Sequence, residues 1–303
     1  MQNRETRPTV WQCPDWPLRA TVSLVFAATV AFAFRDFLAE CVSRWATEPQ
    51  YSHGYLIPFM SVGLGWFRRD RVLAGLARSS FWGLFLLIPG AGMHLLANYM
   101  YFAPLDGLAL LFVLVGGVLL IWGRRLFVGI WPAVLFPGFM MPLPYELEHA
   151  MSAPLQMLGA SEAAFYIQTC GIPAIAQGNT ILMGDTQLGV EEACSGLRML
   201  MVFTAISVSV VILSKRPRWE RMVILFSAVP IALICNIARI VATAIAHHYL
   251  GQQTADLVFH DLSGWLMIPM GLGLLLAAMK TFDWLFVEVR NQSPALGITG
   301  VSA

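Results

Sequence analysis

The stretch VILFSAVPIALICNIARIVATAIAHHYL, residues 223–250, decides the class of this fold. A helix of about 20 apolar residues is long enough to cross the hydrocarbon core of a bilayer. This stretch exceeds that length, and Arg239 is its only residue among Asp, Glu, Lys and Arg. It therefore predicts a membrane-spanning helix that carries a charge inside the bilayer.

The composition of the whole chain agrees with this prediction. Of its 303 residues, 57% are hydrophobic and 12% are charged, whereas soluble domains average about 25% charged residues. The net charge is +1, so the chain lacks the basic excess with which nucleic-acid-binding proteins neutralise phosphates. We expect an all-α integral membrane protein that binds no nucleic acid.

Apolar runs of roughly the length of a span recur along the chain. We interpret them as a bundle of about eight transmembrane helices, at residues 18–37, 54–67, 80–102, 107–122, 126–142, 194–213, 222–248 and 264–286. They form one transmembrane domain over residues 18–286, between cytoplasmic tails at 1–17 and 287–303. No small-residue cleavage site follows the first apolar run, so we expect an anchor there rather than a cleaved signal peptide.

The positions of the positive charges predict the orientation. If the N-terminus is inside, 15 of the 19 Lys and Arg residues fall in the inner segments. Arg35 and Arg44 then lie outside, and Arg198 and Arg239 lie within spans. Because Lys and Arg collect on the cytoplasmic side, we expect both termini to be cytoplasmic.

The longest outward segment, about residues 143–193, contains two different sequence patterns. Residues 145–168 have the pattern of one or two amphipathic helices lying along the membrane surface. Residues 172–190 alternate with a period near two around two turn pairs, Gly178-Asn179 and Gly184-Asp185. We therefore expect a small external insertion made of an amphipathic helix and a β-hairpin.

Cys194 is the first candidate for chemistry, in the segment VEEACSGLRML at residues 190–200. A cysteine at the start of the sixth span meets the positive end of the helix, which favours the thiolate. Arg198 lies one turn deeper on the same face, and Ser195 is adjacent. The plainer alternative is a small buried cysteine beside an arginine that extends toward the membrane surface.

Asn236 and Arg239 are three residues apart, so they share one face of the seventh span. An arginine inside a membrane indicates a functional site, although an ion pair with Glu191, Glu192 or Asp261 would also explain it. Arg239 lies about ten residues from the outer end of its span, roughly 15 Å if the helix is straight. Either its side chain reaches outward or the helix ends early.

His260, beside Asp261 in the outward loop FHDLSGW (259–265), is able to accept a thiol proton near neutral pH. A capping or anchoring histidine is the plainer alternative. With the predicted topology, Cys194, Arg239 and His260 all fall in the external half of the membrane. This agreement favours a Cys/His/Arg nucleophilic site.

Tyr51 and His53, in YSHGYLIP (51–58), precede the second span. They suit an aromatic belt at the membrane surface, and a contact with substrate is the alternative. The five cysteines are scattered and have no zinc-ligand spacing. We expect no metal site and no cofactor.

Taken in order, these motifs resemble the exosortases, over about residues 20–285. The matching pieces are YSHGYLIP, MPLP, GNTI, VEEACSGLR, NIARI and FHDLSGW. The resemblance implies a membrane cysteine transpeptidase or thiol protease of the cell inner membrane, with its active site facing the periplasm. The resemblance also implies an association with exopolysaccharide export, but only as the setting in which such enzymes occur.

The resemblance also implies roles. Cys194 matches the nucleophile, Arg239 the arginine of the second motif and His260 the third position. Substrates would be exported proteins that end in a Pro-Glu-Pro motif, a transmembrane helix and a basic tail, cut through an acyl-thioester on Cys194. Arg239 and His260 would divide proton transfer and oxyanion stabilisation between them in either order, supported by four neighbours: Arg198, Ser195, Asn236 and Asp261.

Two other functions compete with this interpretation. A membrane transporter or exopolysaccharide-export component would use Arg198, Asn236 and Arg239 to line an anion path. It predicts polar residues in several spans and an inverted repeat, and the sequence has neither. A metal-dependent hydrolase would need a paired-histidine motif such as HExxH, which is absent from the sequence.

Overall fold

The computed structural model describes residues 15–69, 80–184, 186–190 and 196–285, without the side chains of Pro49 and of 252–266. Its α-helices are α1 (Trp16–Ala33), α2 (Arg35–Thr47), α3 (Ile57–Phe67), α4 (Trp82–Met100), α5 (Ala103–Leu135), α6 (Tyr145–Thr169), α7 (Leu197–Leu213), α8 (Arg218–Leu250) and α9 (Gln252–Leu285). There are also two 3-10 helices: Pro49–Tyr55 precedes α3, and Phe136–Met140 follows α5. A small sheet contains β1 (Ile175–Gln177), β2 (Thr180–Met183) and β3 (Thr186–Gly189).

The all-α membrane class is confirmed. Five described segments are long and apolar enough to cross a membrane: Trp16–Ala33, Trp82–Met100, Ala103–Met140, Arg218–Leu250 and Met267–Leu285. Helix α7 is apolar but shorter. Large apolar side chains such as Leu24 and Phe32 on α1 are exposed, which fits a surface that lipid covers.

The number of spans stays a prediction, because two predicted spans lie in one helix. Residues 107–122 and 126–142 fall within α5 and the 3-10 helix that follows it. Gly123 interrupts α5 with φ 83° and ψ 172°, a conformation that is open to glycine and not to residues with a side chain. The predicted second span is also short, since α3 begins at Ile57 and ends at Phe67.

Helices α4 and α5 pack at very close range. A β-carbon built on Gly83 would lie 2.4 Å from the backbone oxygen of Gly116. Only a residue without a side chain fits there, and small residues are what allow two membrane helices to approach. This pair therefore fixes α4 against the first half of α5.

The external insertion differs from the predicted hairpin by one strand. Strands β1, β2 and β3 form an antiparallel sheet in that order, with Ile175 opposite Leu182 and Ile181 opposite Leu188. The predicted hairpin lacked a strand because both turn pairs form turns in the structure. Gly178 and Gly184 have positive φ values of 63° and 59°. Two turns connect three strands.

Helix α6 is continuous, and it is more than a surface helix. Its buried face consists of small residues, among them Ala160, Ala163 and Ala164, which pack with Ile240 of α8 and with the sheet. Other apolar side chains, such as Phe165, are exposed. Helix α6 thus connects the external insertion to α8, the helix that carries Asn236 and Arg239.

Arginines at the ends of several helices hold neighbouring segments together. Arg68, after α3, donates hydrogen bonds to the backbone oxygens of Gly129 (3.1 Å) and Ile212 (3.2 Å). Arg216, before α8, forms ion pairs with Glu220 (3.0 Å) and with Asp283 near the end of α9 (2.6 Å). These ion pairs and hydrogen bonds raise the pKa of Arg216. Glu40, Glu48 and Glu148 lie together elsewhere, around one cavity.

Candidate active site

The predicted site residues are described to different extents. Cys194 and Ser195, together with Glu191 and Glu192, lie outside the described residues. The backbone of His260 and Asp261 belongs to α9, while their side chains lie outside the described part. The side chains of Arg198, Asn236 and Arg239 are described in full.

The prediction of an outward loop at 259–265 was wrong. These residues lie inside α9, which begins at Gln252 and follows α8 after the single residue Gly251. Gly251 ends α8 with φ 79°, a value that favours glycine. The loop was expected because the last span was predicted at 264–286, but the helix begins earlier, at Gln252, and packs along its neighbour. His260 therefore belongs to a helix that runs back along α8.

Asn236 and Arg239 occupy the buried face of α8, as their spacing predicts. Their exposed fractions are 1% and 4%. Among the described residues, neither the amide nitrogen nor the amide oxygen of Asn236 has a hydrogen-bond partner. Leaving a buried polar group unsatisfied costs about 1–3 kcal/mol. A buried amide whose partner is not among the described residues, next to a buried arginine, makes this face the candidate site.

Two glycines surround the amide of Asn236. A β-carbon built on Gly196 would lie 3.2 Å from its Nδ2 atom, and one built on Gly159 would lie 3.3 Å from the same atom. Gly196 is the residue that precedes α7, and it has φ +72°. An L side chain is strained in that conformation. Gly196 is therefore needed both for its backbone conformation and for its close approach to Asn236.

This contact explains how the start of α7 reaches the depth of Arg239. Helix α8 does not end early, since it continues to Leu250, roughly 21 Å beyond Asn236 at 1.5 Å per residue. Gly196 instead lies beside Asn236, one turn from Arg239 on the same helix. The backbone N–H groups of the first turn of a helix have no partner within it. The start of α7 therefore brings such donors to the buried face of α8.

Tyr51 and His53 are buried and form a brace. The hydroxyl of Tyr51 donates to Oε2 of Glu148 at 2.8 Å and accepts from the backbone N–H of Leu143 at 3.1 Å. The ring nitrogens of His53 lie 3.1 Å from the backbone oxygen of Gln50 and 3.0 Å from that of Phe139. The contacts with Phe139, Leu143 and Glu148 fasten the 3-10 helix Pro49–Tyr55 to the start of α6 and to the segment before it.

The electrostatic environment of His53 connects this brace to α7. Burial lowers the pKa of His53, and the positive charge of Arg198 lowers it further, while the two backbone oxygens act in the opposite direction. Burial also raises the pKa of Tyr51. Both side chains therefore hold their neutral forms near pH 7. The hydroxyl of Tyr51 and the one ring N–H of neutral His53 are already used within the fold, which favours a structural role over the predicted contact with substrate.

Sequence reasoning missed Glu148 and Gln50, the partners of this brace. The Nε2 atom of Gln50 donates to Glu148 at 3.1 Å, across 98 residues of chain. No short motif contains both residues, so only the fold brings them together. His94 of α4 is partly buried, and its Nδ1 atom lies 2.5 Å from Oδ1 of Asp106.

Comparison with known proteins agrees with the motifs. No curated protein matches the chain, and no solved structure does. The family model for transmembrane exosortases matches residues 45–277. That match covers well over half of the chain and includes both the brace and the buried face of α8. The chain therefore belongs to the transmembrane exosortase family.

Proposed function

We propose that this protein is a membrane cysteine peptidase or transpeptidase that cuts C-terminal sorting signals through an acyl-thioester on Cys194. Membership in the exosortase family supports a membrane transpeptidase role in protein sorting, with exported proteins as substrates. The proposal adds the reaction and the signal. The signal is a Pro-Glu-Pro-type motif followed by a transmembrane helix and a basic tail.

The observation that carries the proposal is the amide of Asn236, buried without a partner among the described residues and in contact with Gly196. Two residues of chain reach at most about 7 Å, and Cys194 is two residues from Gly196. Arg239 follows Asn236 by one turn on the same buried face. The motifs ACSGLR and NIARI, distant in sequence, thus meet in the fold.

The roles follow from the chemistry of each group. The thiolate of Cys194 attacks the carbonyl carbon of the substrate, and the C–N bond then breaks to leave the acyl-thioester. The guanidinium of Arg239 keeps its charge at any working pH, so it suits stabilisation of the developing oxyanion. His260 takes the thiol proton and returns it to the leaving amine. The opposite division of roles between Arg239 and His260 stays open.

The hairpin of α8 and α9 supports a role for His260. Ile224 and Ile231 of α8 pack with Met267 and Leu275 of α9, so the helices run antiparallel from Gly251. Arg239 lies about 18 Å from that turn and the backbone of His260 about 14 Å, at 1.5 Å per residue. The two positions differ in depth by less than one helical turn.

The position of three arginines supports the proposed orientation, in which both termini are cytoplasmic and the site faces the periplasm. The basic residues Arg68, Arg216 and Arg218 lie where helices end or begin, on one side of the bundle. The carboxylates that surround the brace lie near the ends of other segments. Membrane proteins keep Lys and Arg on the cytoplasmic side.

A substrate-cleavage assay tests the proposal. The protein is expressed with a tagged protein bearing the Pro-Glu-Pro-type tail, and the size of the tagged protein is followed on a gel. We expect the wild type and Cys170→Ala to shorten it, and Cys194→Ala and Cys194→Ser to leave it intact. Cys170 is an exposed cysteine, so it serves as the matched control. Equal cleavage by all four proteins would show that Cys194 is structural.

A further inference from the structure

The three-stranded sheet has an open edge at β3. Helix α6 packs against β1 and β2, and β2 pairs with β3 over Thr186–Gly189. Every residue of β3 except Leu188 is exposed. Among the described residues, no further strand lies on the outer side of β3. Such an edge is a template to which another extended chain can add.

The register shows which backbone groups face outward. The N–H of Val190 donates to the backbone oxygen of Asn179 at 2.7 Å. In an antiparallel pair, residues that bond to the partner strand alternate with residues whose N–H and C=O point away from it. Counting back from Val190, Leu188 bonds to β2, whereas Gln187 and Gly189 direct both backbone groups to the open side. In the described part of the chain, no hydrogen bond uses these groups.

The opposite edge of the sheet offers less. Strand β1 has three residues, Ile175–Gln177. Ala176 lies opposite Ile181, which bonds to β3, so Ala176 is the one residue of β1 whose backbone groups point outward. Its side chain packs against the cluster that α6 forms with the sheet. Within the described sheet, two outward positions on one strand occur at β3.

Strand β3 lacks the residues that usually protect an edge. Its sequence, TQLG, contains neither lysine nor proline, which commonly prevent an edge from pairing. Leu188 is its one large apolar residue, and it packs against the cluster of α6 and the sheet. The exposed part of the edge is therefore polar backbone that an extended peptide can bind.

The edge is close in sequence to the proposed nucleophile. Gly189 precedes Cys194 by five residues, and five extended residues span at most about 18 Å. Ile181 and Val190 of the sheet belong to the same buried cluster as Ile240 of α8. The sheet is thus fixed against the helix that carries Asn236 and Arg239.

We propose that the open edge of β3 binds the sorting signal of the substrate as a fourth strand. This role rests on the proposed function, which supplies the identity of the signal. The prolines of a Pro-Glu-Pro motif are two residues apart, so in an extended chain their backbone nitrogens point to the same side. Proline has no N–H, and in a strand it suits the side that faces solvent. The N–H and C=O of the glutamate then point to β3 and bind the backbone groups of Gln187 and Gly189.

The alternation of prolines also limits the sheet to this one addition. The outer side of the bound signal has no N–H at either proline, so it is a poor template for a fifth strand. The match does not depend on the direction of the added strand, because proline and glutamate alternate in the same way from both ends. Backbone pairing thus explains a preference for proline at alternate positions.

Binding of a fluorescent signal peptide to full-length Cys194→Ala protein tests the proposal without catalysis. Gln187→Pro and Gly189→Pro each remove one outward N–H, and the ring obstructs an added strand. We expect each to raise the Kd of the peptide about fivefold, the factor that one hydrogen bond of typical strength gives. Ala176→Pro makes the same change at the opposite edge, and Gln187→Ala keeps the N–H. These two controls should leave the Kd unchanged.

Changes in the peptide test the same pairing with β3 unaltered, so they do not depend on how the proline variants fold. A methyl group on the backbone nitrogen of the glutamate removes the N–H that the motif directs to the edge. We expect it to raise the Kd about fivefold. The same methyl group two residues before the first proline lies on the side of the prolines and should have no effect.

The gel assay of cleavage by the wild type keeps the two proposals distinguishable. If the wild type cuts the signal, and neither the proline variants nor the methylated glutamate changes the Kd, the role of the edge fails while the proposed function stands. If binding depends on the edge and the wild type cuts no signal, the proposed cleavage fails while the role of the edge stands.

Discussion

Replacement of Asn236 by leucine is predicted to stabilise the protein while it abolishes activity. Leucine has the branching of asparagine, with two methyl groups in place of the amide nitrogen and oxygen; it is the larger side chain and carries no polar atoms. The two amide atoms of Asn236 lack partners among the described residues, and each unsatisfied buried group costs about 1–3 kcal/mol. Residual strain and the loss of other contacts reduce the gain, so we expect the free energy of unfolding to rise by about 1 kcal/mol.

The same change is expected to lower the rate of signal cleavage by about 100-fold, a loss as large as that of one oxyanion donor, because the amide contacts Gly196 and lies one turn from Arg239. Thermal denaturation in detergent measures the stability, and the gel assay measures the cleavage. Gly159→Ala is the matched control for crowding: its new β-carbon would approach the same Nδ2 atom to 3.3 Å, but the amide remains. We expect partial activity from it.

Opposite signs are the decisive feature of this prediction. Replacing a residue that serves packing alone destabilises the protein, and activity then falls only in proportion to the folded fraction. If Asn236→Leu unfolds the protein more easily and the folded fraction still cuts the signal at the normal rate, then the amide has a structural partner and the assignment of this face is wrong.

The other predictions concern the brace and the cysteines. Tyr51→Phe leaves Glu148 without its 2.8 Å donor and should cost about 1–3 kcal/mol in denaturation experiments; an unchanged midpoint would contradict the brace. Because burial lowers the pKa of His53 below its ordinary 6.5, the unfolded chain binds more protons than the folded one under acid. Stability should therefore fall as the pH drops below about 6.5, and His53→Gln should flatten that dependence; equal pH profiles would refute it. Maleimide should label the exposed Cys170 quickly and leave Cys41 unlabelled, because Cys41 is buried and burial raises the pKa of its thiol to about 12; rapid labelling of Cys41 would show that α2 opens.

Features of this fold that depend on local pattern were predictable from the sequence. Hydropathy indicates the long apolar helices because each must bury its own backbone polar groups in lipid. The spacing of Asn236 and Arg239 predicts their common face, since three residues make almost one helical turn. The paired turns at Gly178 and Gly184 indicate a small sheet.

Features that depend on distant contacts were not predictable. The contact between Gly196 and Asn236 joins two helices, and Tyr51 bonds to Glu148 across 97 residues. The residues around His260 were expected in a loop because the last span was predicted to begin at 264. Packing against α8 overrides that expectation, since most helical stability comes from tertiary contacts.

The mass of the intact protein after incubation with substrate tests the central claim most directly. The account predicts an adduct equal to the acyl part of the substrate, attached to Cys194 and released by hydroxylamine, as expected of a thioester. Arg239→Gln should slow its formation, and Cys194→Ala should abolish it. Cleavage of the signal without any adduct, or by the Cys194→Ala protein, would contradict nucleophilic catalysis at this site.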